Sequence, residues 1–173
     1  MPIVTADIEF RLSGGASNTS PAASLGGAMS TVGGGLIADA VANNLWDDVS
    51  GAESTSGDTE YRAFYVQNQH DTLTLQSALF WIASDTTSAD TDFEIALATE
   101  AVGSAIVQTI ANENTAPSSV TFSNVAVSKA TGLSIGNIAG NSFKGLWIKR
   151  VVSPGAAAAS DTGTVRVEGD TAA

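Results

Sequence analysis

Short strand-like runs recur along the chain, and from residue 60 onward the gaps between them are too short to hold a crossover helix. "DIEFRL" (7–12) sets Ile8, Phe10 and Leu12 on one side and Asp7, Glu9 and Arg11 on the other, the pattern of a half-buried strand. "EYRAFYVQN" (60–68), "DTLTLQSALFWIAS" (71–84), "DFEIALATE" (92–100), "AIVQTIA" (105–111), "SVTFSNVAV" (119–127), "LSIGNI" (133–138), "KGLWIKRVV" (144–152) and "TVRVEGD" (164–170) follow it. Each is bounded by Gly, Pro, Asn, Asp or Ser, which punctuate strands. Parallel strands need a crossover of a dozen or more residues, whereas the turns here return about every 8–14 residues. The expectation is an all-β chain: an antiparallel β-sandwich of about eight to nine short strands, Ig-like or jelly-roll-like.

The first 40 residues read differently from the rest. After "DIEFRL" comes "SGGASNTSPAASLGGAMSTVGGG" (13–35), dominated by Gly, Ala and Ser. It has too few large apolar side chains to bury a face of its own. It reads as a flexible loop or as an extended arm that orders only against a neighbour. Fully extended it would reach roughly 75 Å. On the arm reading, Ile3, Ile8, Phe10 and Leu12 are partner-binding anchors, with Leu25, Met29 and Val32 as lesser ones. The strand "DIEFRL" fits pairing within its own subunit equally well. "LIADAVANNLW" (36–46) is the one candidate helix, from the spacing of Leu36, Ala40, Val41 and Leu45, and a strand over part of it fits nearly as well. The domain division that follows is 1–40 for strand and arm, and 41–173 for the sandwich. Trp46, Trp81 and Trp147 fall in or beside strands, where they read as core anchors.

Composition narrows the function classes. The 173 residues carry 18 acids, 7 bases and a net charge of −11. Nucleic-acid surfaces need clustered Lys and Arg, and the only adjacent pair here is Lys149–Arg150. Neither nucleic acid nor an anionic membrane surface is an expected partner. There is no cysteine, which excludes disulfides, thiolate nucleophiles and cysteine metal sites. The N-terminus "MPIVTADIEFRL" lacks the basic-then-apolar order of a secretion signal. No apolar stretch, "GAAAA" (155–159) included, approaches the roughly 20 residues a membrane span requires.

The search for chemistry yields little. His70, the only histidine, sits in "NQHDT" between two strands and reads as a turn residue. Asp71 follows it directly, and successive strand residues point to opposite faces. Asp47, Asp48, Glu53, Asp58 and Glu60 form one acidic cluster; Asp85, Asp90 and Asp92 form another. Both lack the ordered spacing of a calcium-binding loop, so both read as solvated loops, with calcium at the second as the alternative. "GGG" (33–35) lacks the Lys-Ser or Lys-Thr of a phosphate loop. No catalytic residue, cofactor or metal is assigned, and the chain is not expected to be an enzyme.

"LWDDVSGAESTSGDTEYRAFYVQN", "TLTLQSALFWIASDTTSADTDFEIAL", "QTIANENTAPSSVTFS" and "KGLWIKRVVSPGAAAASDTGTVRVEGDT" resemble segments of structural proteins of tailed-bacteriophage virions. The resemblance covers roughly residues 45–171 and lies in strands and turns. It implies a small β-sandwich virion component made in the host cytoplasm. Its leading form is a capsid decoration, or cement, protein on the outer shell. The partners implied are the major capsid protein and further copies of the chain, as a homotrimer. A tail, neck or baseplate component is the alternative, and a carbohydrate-binding module on the virion surface a third.

Overall fold

In the computed structural model of the chain, which describes residues 1–155 and 162–171, nine strands run antiparallel to their neighbours. Residues 156–161, which include most of "GAAAA" and part of the last quoted segment, lie outside the described residues. Strands β1 (Ile8–Leu12), β3 (Asp58–Asn68), β8 (Phe143–Val152) and β5 (Thr91–Leu97) form a four-stranded sheet in that order. Strands β7 (Leu133–Ile138), β4 (Leu75–Ser84) and β9 (Thr164–Thr171) form a three-stranded one. Two short strands, β2 (Gly27–Ala28) and β6 (Ile106–Val107), pair as a separate ribbon.

Alternation places the core. On β3, Phe64 and Val66 face the three-stranded sheet, while Ala63 and Tyr65 face the other way. The first face meets Phe80 and Ile82 of β4, Ile95 of β5, and Leu146 and Ile148 of β8 in one cluster between the sheets. Phe10, Phe64 and Phe80 contact edge to face at 5.6 and 6.0 Å, carrying aromatic packing from β1 across to β4. The second face carries Ala63, Tyr65, Ala96 and fully buried Trp147, and it is covered by Met29, Val107 and Ile110. Both faces of the four-stranded sheet are therefore buried, which explains why the centres of β3 (63–66) and β8 (145–148) are apolar at successive positions.

The segment 13–35 does not stand away from the domain. Its backbone bonds to the layer beneath it: Ala63 N–H of β3 donates to Ser24 O (2.8 Å) and Ile110 N–H, just beyond β6, to Leu25 O (2.9 Å). The Tyr65 hydroxyl donates to Gly27 O (2.6 Å) and accepts from Val107 N–H (3.0 Å). Small polar side chains supply what large apolar ones do not. Ser13, Ser24 and Ser30 are fully buried. Ser13 Oγ donates to Ala63 O (2.8 Å) and accepts from Gly26 N–H (3.1 Å), and Asn18 Nδ2 donates to Ser13 O (2.6 Å). Gly26 (φ +98°) approaches so closely that a Cβ there would lie 1.8 Å from Gln108 O; no other residue fits. Segment 13–35 thus lies as a covering layer over the four-stranded sheet rather than as an extended arm.

The residues read as partner anchors are placed accordingly. Leu12 (2 % exposed) and Met29 (8 %) belong to the protein's own cores. Ile3, Ile8 and Phe10 are half-buried against the inter-sheet core, and Leu25 is half-buried against the second. Of the set, Val32 alone is exposed. "DIEFRL" pairs with β3 over five residues, Ile8 opposite Asn68 through Leu12 opposite Phe64.

Two further expectations change. Residues 36–46 hold no helix. Ala40 and Asn43 sit at positive φ (57° and 56°), which a helix does not tolerate, and Ile37 N–H donates to Phe10 O instead (2.8 Å). The one α-helix among the described residues, α1 (Gly51–Ser56), lies where the sequence read as an acidic loop. The segment 119–127 is not a strand. Ser123 exchanges both backbone bonds with Ile95 of β5, and Ala126 O accepts from Ile82 N–H of β4. The segment crosses from one sheet to the other and seals the open edge between them, so it cannot run in register with either.

Candidate functional site

The most concentrated group of charges lies at one end of the inter-sheet core. Glu60 and Arg62 follow the same alternation on β3 as Phe64 and Val66, so they point inward. Arg150 on β8 is the direct cross-strand neighbour of Glu60. All three are nearly inaccessible, at 1, 1 and 5 % exposed. Charges this deep are tolerated only when paired. Arg150 Nε donates to Glu60 Oε2 (2.6 Å), and Arg150 Nη1 donates to the Asp47 carbonyl (2.7 Å). Arg62 Nη2 donates to Glu113 Oε2 (2.5 Å) and lies 3.9 Å from Asp47 Oδ1.

Trp46 closes this group. The guanidinium carbons of Arg62 and Arg150 are each 5.0 Å from its ring centroid, within cation–π range. Phe93 of β5 stacks on the same indole at 6.4 Å and 20°. The loop that carries Trp46 leads into α1, whose start is fixed by a capping box: Ser50 Oγ accepts from Glu53 N–H, and Ser50 N–H donates to Glu53 Oε2 (2.6 Å). That Ser-x-x-Glu spacing was the signal for the helix. Burial raises the Glu60 pKa above the usual carboxylate range, and Arg150 opposes the shift without cancelling it. A shallow cleft of about 150 Å³ opens beside Trp46, lined by Ser20, Pro21, Ala22, Asn43 and Arg62 among others.

The acidic clusters are divided by the fold. Glu53, Asp58 and Glu60 are brought together, with one carboxylate oxygen from each within 4.8 Å of the others. All three are engaged in holding the fold. Glu53 completes the capping box, Asp58 accepts from Asn114 Nδ2 (2.7 Å), and Glu60 holds Arg150. Asp47 goes instead to the arginines, and Asp48 lies exposed beyond it. Asp85, Asp90 and Asp92 are not gathered into such a group. Asp85 Oδ1 accepts from Thr86 N–H (2.8 Å) and Phe93 N–H (3.1 Å), which shapes the β4–β5 loop.

His70 organises a turn. Its Nδ1 accepts from Thr72 N–H (3.2 Å) and Leu73 N–H (3.0 Å), and Nε2 lies 3.1 Å from Met1 O. It lines a second cleft, of about 340 Å³, with Met1, Val4, Asp7, Gln69 and Asp71; that lining offers the imidazole no hydroxyl nucleophile. The buried charge group, which no sequence pattern assembles, pairs residues as far apart as Glu60 and Arg150. Its chemistry is that of a lock joining β3, β8 and the Trp46 loop. No family model matches this sequence, and no curated protein matches it.

Proposed function

We propose that the chain is a structural component of a tailed-phage virion, and within that class a decoration protein that seats on the outer shell and clamps neighbouring capsomers. The observation that carries this reading is how the side chains are distributed between interior and surface. Arginines, a buried glutamate and aromatics are drawn inward to lock one unit. The large apolar groups left exposed on the seam and ribbon are aliphatic: Ile106 (62 %), Val125 (69 %) and Val127 (54 %). Val125 and Val127 flank the buried Ala126 on the segment that seals the sheet edge, so they face outward together. Exposed apolar groups in a polar surround are the usual mark of a protein contact.

The strand-and-turn segments that resemble virion proteins support the same reading. A net charge of −11 suits a surface turned away from packaged DNA. A sugar-binding role is less well supported, because every aromatic side chain among the described residues is buried or half-buried and none offers an open stacking platform.

The test is sedimentation of purified protein with shells that lack it. Saturable binding over the whole shell is expected. The V125D/V127D variant should melt like the parent and bind roughly tenfold or more weakly, the scale of losing an apolar anchor. Labelled protein confined to one vertex or to the tail would make the chain a tail, neck or baseplate part. Binding to neither structure would sink the virion reading.

A further inference from the structure

Among the described residues the four-stranded and three-stranded sheets have four outer edges between them, and three are protected. Beside β1 runs the chain's own segment 30–37: Ser30 N–H donates to Leu12 O and Ile37 N–H to Phe10 O, both at 2.8 Å. Beside β5 lies Ser123, which exchanges both backbone bonds with Ile95. The short β7 is broken by left-handed Gly136 (φ +85°) and by register shifts against β4. β9 is different. It runs for eight residues with only β4 beside it among the described residues. Where its pairing with β4 is irregular, the extra residue lies on β4, from Gln76 to Leu79 opposite Asp170 to Glu168, so β9 itself is unbroken. It contains no proline and no inward-pointing charge, two of the devices that keep an edge from pairing, and its outward charges, Arg166, Glu168 and Asp170, are of both signs.

We infer that β9 is the surface through which two copies of this chain associate, edge to edge and antiparallel, about a twofold axis through Val167. The charge pattern selects that partner and that register. The outward side chains of β9 are Thr164, Arg166, Glu168 and Asp170, and Val165 and Val167 turn towards the core. With Val167 on the axis, Arg166 lies opposite Glu168 of the partner subunit, and the same pair recurs on the other side of the axis. Thr164 then meets Asp170 of the partner subunit, and Val165 meets Gly169 of the partner subunit. Moving the axis to Glu168 or to Arg166 sets a charge against itself, and like charges directly opposite are destabilising. A half-step register sets core-facing residues against outward ones. Glu168 already holds Lys129 through Oε1 (2.5 Å), which leaves Oε2 for the arginine. Pairing would join the two three-stranded sheets into one of six strands. The inference concerns the isolated protein and does not depend on the virion reading.

The experiment is sedimentation of the full chain over a concentration series. A dimer is expected, predominant by about 100 µM if its Kd is micromolar. R166E and E168R each set like charges opposite one another at two positions, so each should raise the dissociation constant roughly tenfold or more while melting near the parent temperature. An equimolar mixture of R166E and E168R should restore the dimer, and so should the R166E/E168R double variant, because both recover opposite charges. The chain has no cysteine, so Val167→Cys provides a second readout on an otherwise native edge. It should form a disulfide-linked dimer on mild oxidation, and Thr164→Cys should not. A parent chain that stays monomeric throughout, a trimer, an R166E dimer as tight as the parent, or no cross-link at Val167→Cys would each overturn the inference.

Discussion

A chain lacking residues 1–35 is expected to show no cooperative melting transition. The deletion removes β1 from the edge of the four-stranded sheet, where Leu12 is 2 % exposed against the inter-sheet core. It also strips the layer over Ala63, Tyr65 and Trp147, taking with it buried Met29 and half-buried Leu25. Full burial of one such side chain contributes about 1.5–3 kcal/mol. With Ile8 and Phe10 also lost, the sum approaches 10 kcal/mol, in the range of the whole stability of a domain, about 5–15 kcal/mol. Tyr65 O–H and Ala63 N–H would lose their partners as well. Calorimetry or near-ultraviolet circular dichroism would show the outcome. A truncated chain with a sharp transition within a few degrees of the parent would mean that these residues merely decorate an independent core.

The second large effect is expected at Arg150. Removing one partner of a buried ion pair costs about 3–5 kcal/mol, and R150A leaves Glu60 in the core without its nearest cation. For a domain of this size that corresponds to a fall in Tm of roughly 6–20 °C. E60Q should cost less, because Gln still accepts from Arg150 and introduces no charge. The pH dependence follows from the direction of the Glu60 shift. Its pKa is raised by burial, so its favourable contribution is complete below the pKa of a free glutamate. That contribution is lost as pH rises through the raised value, where the buried group ionises. Without Arg150 this penalty grows. The deficit of R150A should therefore be largest near neutral pH and shrink on acidification through the titration of Glu60. Replacing both partners, R150M/E60L, should recover much of the loss. A deficit that is flat with pH would show that Glu60 is not the group left stranded.

The sheets were legible in the sequence because two-residue alternation is local and the strands obey it. β3, β5, β7 and β8 begin and end within a few residues of their apolar runs. What was not legible depends on partners far away in the chain. "SVTFSNVAV" alternates like a strand, yet its backbone bonds go to two different sheets. "AIVQTIA" is reduced to Ile106–Val107 because its partner, Gly27–Ala28, is only two residues long. The segment 13–35 looked too poor in apolar residues to fold. Its serines and Asn18 bind backbone groups that no periodicity count weighs. Residues 36–46 have helical spacing, but two left-handed positions and a bond to β1 override it. The charge group under Trp46 escaped for the same reason: no spacing rule connects residue 60 to residue 150.

That separation has a consequence for how the protein comes to exist. Glu60 and Arg150 stand 90 positions apart, and the ten paired residues of β3 and β8 around them form the middle of the larger sheet. A ribosome has delivered β1 through β7, with the covering layer and the seam, before the strand that joins β3 to β5 exists. Until β8 emerges, the aromatic face of β3 has water where Leu146, Trp147 and Ile148 will lie. The closing step is a long-range pairing, whose loop entropy must be met before its contacts form. Refolding is therefore expected in the millisecond-to-second range of non-local β-topologies, as one event that waits for β8.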